Sequence, residues 1–363
     1  MKISNTAIMC LSVGRGGMEI DAIKTASLLN DDLNIHLICK SGSYIAERIK
    51  KKPINGLNVI ELSFNSKLAI GFIDFRLLRQ LRETIKKYEI SNLIFFGVSE
   101  LKTIFFSLIG KDTKLIIRHG TKKSKPKKDI LRRILFGRVN LHVAISNYIA
   151  NNVKDIYPVS KKSEVVVIYP SLGLPMNHSY SKSSSSVIRI LHTGRVVDGK
   201  GYENALDACD ILYDNDLKFE FTAVGDMPES DYVSMVKKKV SAKKHSSHIK
   251  FTGHVEDVNN YLVNSDILLF PSKGEGFCNS FNEALAYGLV CLAYENTVFP
   301  ELRDIGFYFH LADNGDLLSL ANELLLICNN LENEKEKCLP NISLAQKLYS
   351  PAAEKNAYMK ILT

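Results

Sequence analysis

Pro271-Ser272-Lys273-Gly274-Glu275-Gly276-Phe277-Cys278-Asn279-Ser280-Phe281-Asn282-Glu283-Ala284-Leu285-Ala286-Tyr287-Gly288 is the stretch that decides the fold. It follows an apolar run of strand length, residues 267–270. A glycine-containing loop leads from that run into a helical pattern opening near Ser280. A strand, a glycine loop and a helix start form the repeating step of an open parallel sheet, and unpaired amides at such a helix start attract anions. The stretch holds two acids eight residues apart, Glu275 in the loop and Glu283 in the first helical turn. Ser280-x-x-Glu283 reads as a capping box, a device worth about 1 kcal/mol that would by itself account for Glu283. Glu275 sits between two glycines, which points to crowding of the backbone by a ligand.

The same alternation extends outward in both directions. Upstream, residues 188–192, 219–224 and 249–251 read as strands and 202–213 as a helix; downstream, 290–293 is a strand. The first half repeats the pattern. Strands are expected at 6–13, 34–39, 92–96, 115–117, 141–145 and 165–168, and helices at 18–29 and 75–87. Strands separated by helices imply parallel sheets covered on both faces. The polar run Ser181-Lys182-Ser183-Ser184-Ser185-Ser186 is the best linker in the chain. The expected organisation is therefore a domain over 1–180, a linker over 181–186, a second domain over 187–343, and a helical tail over 344–363. Ligands in such sheets bind beyond the carboxyl ends of the strands, so a cleft between two of them is the natural site.

Composition narrows the function class. The 363 residues are 45% hydrophobic, too many for one ordinary core and about right for two. Seven scattered cysteines without C-x-x-C or zinc spacing suggest reduced thiols and a cytoplasmic location. No apolar run approaches the roughly 18 residues that span a bilayer. The formal charge is +8, and residues 114–133 hold nine cations against the single acid Asp129, which accounts for the whole excess. Such a patch attracts phosphate. It contains no aromatic residue on which bases could stack, which argues against a nucleic-acid partner.

Two further loops carry phosphate chemistry. Gly14-Arg15-Gly16-Gly17-Met18-Glu19 joins a strand to a helix but lacks the sixth-position glycine of the dinucleotide fingerprint. Thr193-Gly194-Arg195 ends a strand, and Lys200-Gly201 follows. A fixed fork of donors and a point charge at one strand end suit a diphosphate.

Taken in order, these segments resemble the family 4 group of retaining glycosyltransferases with the GT-B architecture. The resemblance rests on Gly14-x-Gly16-Gly17-x-Glu19, His119 after Arg118, Val143-Ala144-Ile145-Ser146, Thr193-Gly194-Arg195 with Lys200-Gly201, and Val224-Gly225-Asp226. It continues through Phe251-Thr252-Gly253-His254-Val255 and ends on Glu275 and Glu283, spaced as the Glu-x7-Glu signature. The fold class it implies is α/β, two Rossmann-like doubly wound domains facing across a cleft. It departs from the family pattern at Val290, where proline is usual, and at Thr297-Val298, where small glycines are common.

The resemblance also implies roles. Arg195 and Lys200 would neutralise a departing diphosphate, and Glu283 would accept from ribose hydroxyls. Glu275 would contact the donor sugar, with the amides of Gly276, Phe277 and Cys278 facing sugar and phosphate. His119 would meet the sugar from the first domain, and Gly16, Gly17 and Gly194 would admit the phosphates. The catalytic set would be Glu275, His119, Arg195 and Lys200, with no metal or other cofactor. The donor would be a nucleoside-diphosphate sugar, UDP favoured, and the acceptor a glycan or lipid-linked molecule of bacterial lipopolysaccharide, O-antigen or capsule synthesis. Lys122, Lys123, Lys125, Lys127 and Lys128 would meet that acceptor or the inner face of the plasma membrane. A non-catalytic nucleotide-sugar-binding protein and an epimerase or phosphorylase on the same fold are the alternatives.

Overall fold

The computed structural model describes residues 5–64, 73–173 and 186–363. It divides into two units, Met1–Pro170 with Pro351–Thr363, and Ser171–Ser350.

The first unit runs β1 (Asn5–Cys10), α1 (Gly17–Leu29), β2 (Asn34–Lys40), α2 (Tyr44–Lys51), β3 (Asn58–Leu62), α3 (Phe75–Lys87) and β4 (Asn92–Phe96). It continues α4 (Leu101–Ser107), β5 (Lys114–His119), α5 (Ile130–Phe136), β6 (Leu141–Ala144), α6 (Asn147–Ile156) and β7 (Glu164–Val167). The strands form one parallel sheet in the order β3-β2-β1-β4-β5-β6-β7. Central β4 buries all five of its residues, as a strand covered on both faces must. The order reverses between β1 and β4, which makes the carboxyl ends of that pair the switch point of the sheet.

The second unit runs β8 (Ile188–Thr193), α7 (Tyr202–Asp214), β9 (Phe219–Val224), α8 (Asp231–Ala242), β10 (Ile249–Gly253), α9 (Asn259–Val263) and β11 (Ile267–Phe270). It continues α10 (Asn279–Ala286), β12 (Val290–Tyr294), α11 (Phe299–Ile305), β13 (His310–Ala312), α12 (Leu317–Asn329) and α13 (Leu331–Tyr349). Its parallel sheet is ordered β10-β9-β8-β11-β12-β13, with the reversal between β8 and β11. Val290 opens β12 and donates its N–H to Asp266 O at 3.1 Å, a bond a proline could not make.

The last helix, α14 (Pro351–Leu362), returns to the first unit. Tyr358 and Leu362 enter that unit's core, and Lys114 Nζ donates to Ile361 O at 2.8 Å. Below them lies a buried charge cluster. Arg118, at the end of β5, reaches Asp21 Oδ2 at 2.8 Å and Glu354 Oε1 at 3.9 Å, while Lys24 bridges Asp21 and Glu354. Burial pushes the Asp21 carboxyl up, but the Arg118 and Lys24 charges outweigh it and its pKa is lowered.

Three expectations need correction. The units divide at Pro170, not near residue 180, and residues 181–185 of the expected linker lie outside the described residues. The tail is two helices: residues 344–349 belong to α13 in the second unit, and only from Pro351 does the chain rejoin the first. The first strand stops at Cys10, three residues short of Val13, whose carbonyl accepts from Tyr44 N across a loop.

Candidate functional site

The switch point of the second sheet is built from the loops that follow β8 and β11. Its backbone is crowded enough to dictate sequence. Gly201 has φ +75°, and a Cβ there would stand 1.9 Å from Pro271 O. Gly225 has φ +159°, and its Cβ would stand 1.8 Å from Gly194 O. Only glycine lets three strand ends approach this closely. The loops are also bonded together. Lys273 N donates to Gly199 O at 2.8 Å, Gly194 N to Val224 O at 2.9 Å, and Val196 N to Asp226 O at 2.8 Å.

This scaffold brings Lys200 and Glu275 into an ion pair of 2.7 Å, with the Glu275 side chain only 13% exposed. Burial works against the Lys200 charge, but Glu275 outweighs it and the ammonium pKa is raised, so Lys200 stays a cation at neutral pH. Ser272 Oγ lies 2.8 Å from the same Glu275 oxygen. Arg195 is exposed and has no partner among the described residues. Gly194 lies between β8 and this arginine.

Three supporting residues were not legible as such in the sequence. His192 is fully buried, stacks on Tyr202 at 4.0 Å, and places Nε2 2.9 Å from the Lys200 carbonyl. Burial pushes its pKa down to about 3, so it is neutral and donates from Nε2 to that carbonyl. Thr297 Oγ1 accepts from Glu275 N at 2.9 Å and donates to Asn296 Oδ1 at 3.0 Å. Asn296 Nδ2 in turn donates to Ser272 O at 3.0 Å. Thr297 has φ +48°, an outlier for a β-branched residue, and such strain persists only where the surroundings hold it. Thr297 thus clamps the loop that carries Glu275.

The helix following that loop begins differently from the expectation. Its N-cap is Cys278, in the left-handed region at φ +62°, with no side-chain cap. Ser280 is the second helical residue, so it is not the cap of a capping box. Asn282 Nδ2 closes the turn by donating to Phe277 O at 2.7 Å and Cys278 O at 3.2 Å. Phe277 is buried edge-on against Tyr349, and Glu283 is half-buried as the fifth residue of α10, beyond the first turn expected for it. Side-chain caps close some helices and are missing from others, α4, α9, α11 and α13 included. α2, α3, α5, α6, α8 and α12 are closed by Ser43, Asp74, Asp129, Ser146, Ser230 and Asp316. α1, α7 and α10, which leave the switch points, begin at Gly16, Gly201 and Cys278 without a side-chain cap. An uncapped N-terminus keeps its amides and positive dipole end for an anion.

The first unit's candidates are arranged otherwise. Gly16 and Gly17 open α1, and nothing stands within 4 Å of a Cβ placed on Gly17. His119 ends β5, is 6% exposed, and sits with Nε2 3.0 Å from His142 Nδ1. Burial, then the neighbouring His142 and Lys123, hold its pKa well below the ordinary imidazole value; burial lowers His142 to about 4. Both rings are neutral at physiological pH. Lys122, Lys125 and Lys128 are exposed and Lys123 and Lys127 half-buried, on a loop whose backbone is fastened to α6 by Asn152.

Residues 188–330, which hold every part of the β8–β11 site, match the family model "Glycosyl transferases group 1". The match lies wholly within the second unit. Over 146 residues the chain is 32% identical to the amylovoran biosynthesis glycosyltransferase AmsK of Erwinia amylovora, a match spanning 38% of this chain and 35% of that protein. It is 24% identical over 305 residues, 82% of each chain, to the capsular polysaccharide biosynthesis glycosyltransferase CapH of Staphylococcus aureus. HepE from Anabaena, solved in complex with UDP, aligns with a TM-score of 0.80 at 16% identity over 99% of both chains. That likeness shows the shared fold, the two-domain α/β architecture of GT-B glycosyltransferases.

Proposed function

We propose that this chain is a retaining, metal-independent glycosyltransferase that moves a sugar from a nucleoside diphosphate, UDP by preference, to a glycan or lipid-linked acceptor in bacterial surface-polysaccharide synthesis. The observation that carries the reading is the Lys200–Glu275 ion pair at the β8–β11 switch point, with the unpartnered Arg195 beside it. A diphosphate is the ligand that two cations and the uncapped starts of α7 and α10 would neutralise together. Glu275 would then be released toward the hydroxyls of the sugar, and Glu283 would take the ribose. Solved complexes of HepE hold UDP and UDP-glucose, and the names of AmsK and CapH support a polysaccharide pathway.

In the proposed step the bond between the anomeric carbon and the β-phosphate oxygen breaks. The acceptor oxygen bonds to that carbon on the same face, and its proton passes to the departing phosphate. The charge that develops is on the diphosphate, which is why Arg195 and Lys200 carry the largest share of the catalysis. On this reading the enzyme would work in the cytoplasm, at the inner face of the plasma membrane. Among the described residues no helix is long and apolar enough to cross a membrane.

The test is release of UDP from a panel of UDP-sugars in EDTA, with the anomeric configuration of the product read by NMR. The reading predicts turnover in EDTA with retention, lowered about 100- to 1,000-fold by Arg195→Ala or Lys200→Ala. Binding without turnover would favour the non-catalytic alternative. Turnover lost in EDTA would sink the metal-independent part.

A further inference from the structure

α5 is a surface helix turned the wrong way for a soluble protein. Its last two residues, Leu135 and Phe136, are buried, whereas Ile130 is 79% exposed, Leu131 47% and Ile134 56%. Ile130 and Ile134 are one turn apart, with Leu131 beside them, so the three form one aliphatic strip. Scattered exposed leucines are ordinary, but a contiguous strip bordered by charge marks a contact surface.

The border is cationic. Residues 121–136 hold seven cations, Lys122, Lys123, Lys125, Lys127, Lys128, Arg132 and Arg133, against Asp129 alone. Asp129 is spent within the helix, as its cap and as the partner of Arg132. The preceding loop is a fixed part of the surface. Lys123 N donates to Asn152 Oδ1 at 2.8 Å, Lys127 N to Ile156 O at 2.8 Å, and Arg133 Nε to Lys128 O at 3.2 Å.

We propose that this loop and α5 form a docking surface for an anionic lipid bilayer, with the lysines on the headgroups and Ile130, Leu131 and Ile134 at the acyl boundary. A soluble polyanion would use the cations and leave the aliphatic strip in water. Nucleic acid would want stacking aromatics, and none lies between residues 114 and 133. Interfacial binding is the case that uses both halves, because buried apolar area adds to about 1 kcal/mol per basic residue near an anionic surface. The proposal deepens the inner-membrane part of the reading above and rests on none of the donor-site residues.

The experiment is co-sedimentation of the full chain with phosphatidylcholine vesicles, with and without phosphatidylglycerol, over a range of salt. Wild-type protein is expected to pellet only with phosphatidylglycerol and to be released as salt rises. Ile130→Ser with Ile134→Ser should weaken pelleting about tenfold or more while leaving retention on a polyphosphate resin unchanged. Lys122→Gln with Lys125→Gln and Lys128→Gln should weaken both. No pelleting of wild type at low salt would overturn the proposal. So would pelleting of the double serine variant at wild-type strength, since the cations alone would then explain binding. A UDP thermal shift on the same samples separates this result from the donor reading, because it reports on the other unit.

Discussion

The two sheets share one topological device and furnish it in opposite ways. At the β8–β11 switch point the backbone is so crowded that Gly201 and Gly225 have no substitute, and a half-buried ion pair joins the loops. At the β1–β4 switch point Gly14 and Gly17 face open space, and the nearby exposed side chains Val13, Met18 and Ile20 are apolar. The first unit keeps its buried charge elsewhere, in Arg118, Asp21 and Glu354, where it fixes α14. A site preorganised for one charged ligand is dense with backbone constraint; a surface serving a more variable ligand is open and tolerant of substitution.

The strongest challenge to that contrast is a pair of matched substitutions. Gly201→Ala drives a methyl into Pro271 O and should cost about 3 kcal/mol or more, while Gly17→Ala should stay within about 0.5 kcal/mol. Urea titration followed by circular dichroism gives both, and equal costs would erase the distinction. Asp21→Asn comes next. It leaves Arg118 buried with Glu354 at 3.9 Å as its remaining carboxylate, and should destabilise the first unit by about 3 kcal/mol. The pH dependence has a definite sign. Because the folded Asp21 pKa is lowered, its stabilisation is complete above the ordinary value of 3.8 and is lost as pH falls through the lower folded value. The wild-type urea midpoint should therefore drop in that acid window more than the variant's does. The smallest effect concerns the clamp. Thr297→Val removes the acceptor for Glu275 N–H and should cost about 1 kcal/mol, with Thr297→Ser close to wild type. If valine is also harmless, Thr297 does not hold the Glu275 loop.

Much of this was legible from residues alone. Residues 93–96 and 267–270 are short apolar runs closed by Gly97 and Pro271, 219–224 opens on an apolar–polar alternation, and α3 shows its cap at Asp74. What escaped had physical reasons. α5 carries its aliphatic residues outward, so the usual rule that apolar means buried hides its orientation. The break in the tail had a signal in Ser350-Pro351, since proline opens a helix well and forces the preceding residue extended; Ser350 indeed has ψ 152°. The left-handed conformations of Cys278 and Thr297 had none, because neither residue type favours that region and tertiary bonds impose it. For the same reason the start of α10 was misplaced by one residue and its capping box wrongly inferred. The pairing of Lys200 with Glu275, 75 residues apart, needed the strand order before it could be seen.

The most direct measurement is a thermal-shift titration with UDP in EDTA, on wild type, Arg195→Ala and Glu283→Ala. A diphosphate site at the β8–β11 switch point predicts a concentration-dependent rise in the wild-type Tm that both variants lose while remaining folded. No rise with UDP, GDP, dTDP or ADP in folded wild-type protein would contradict it.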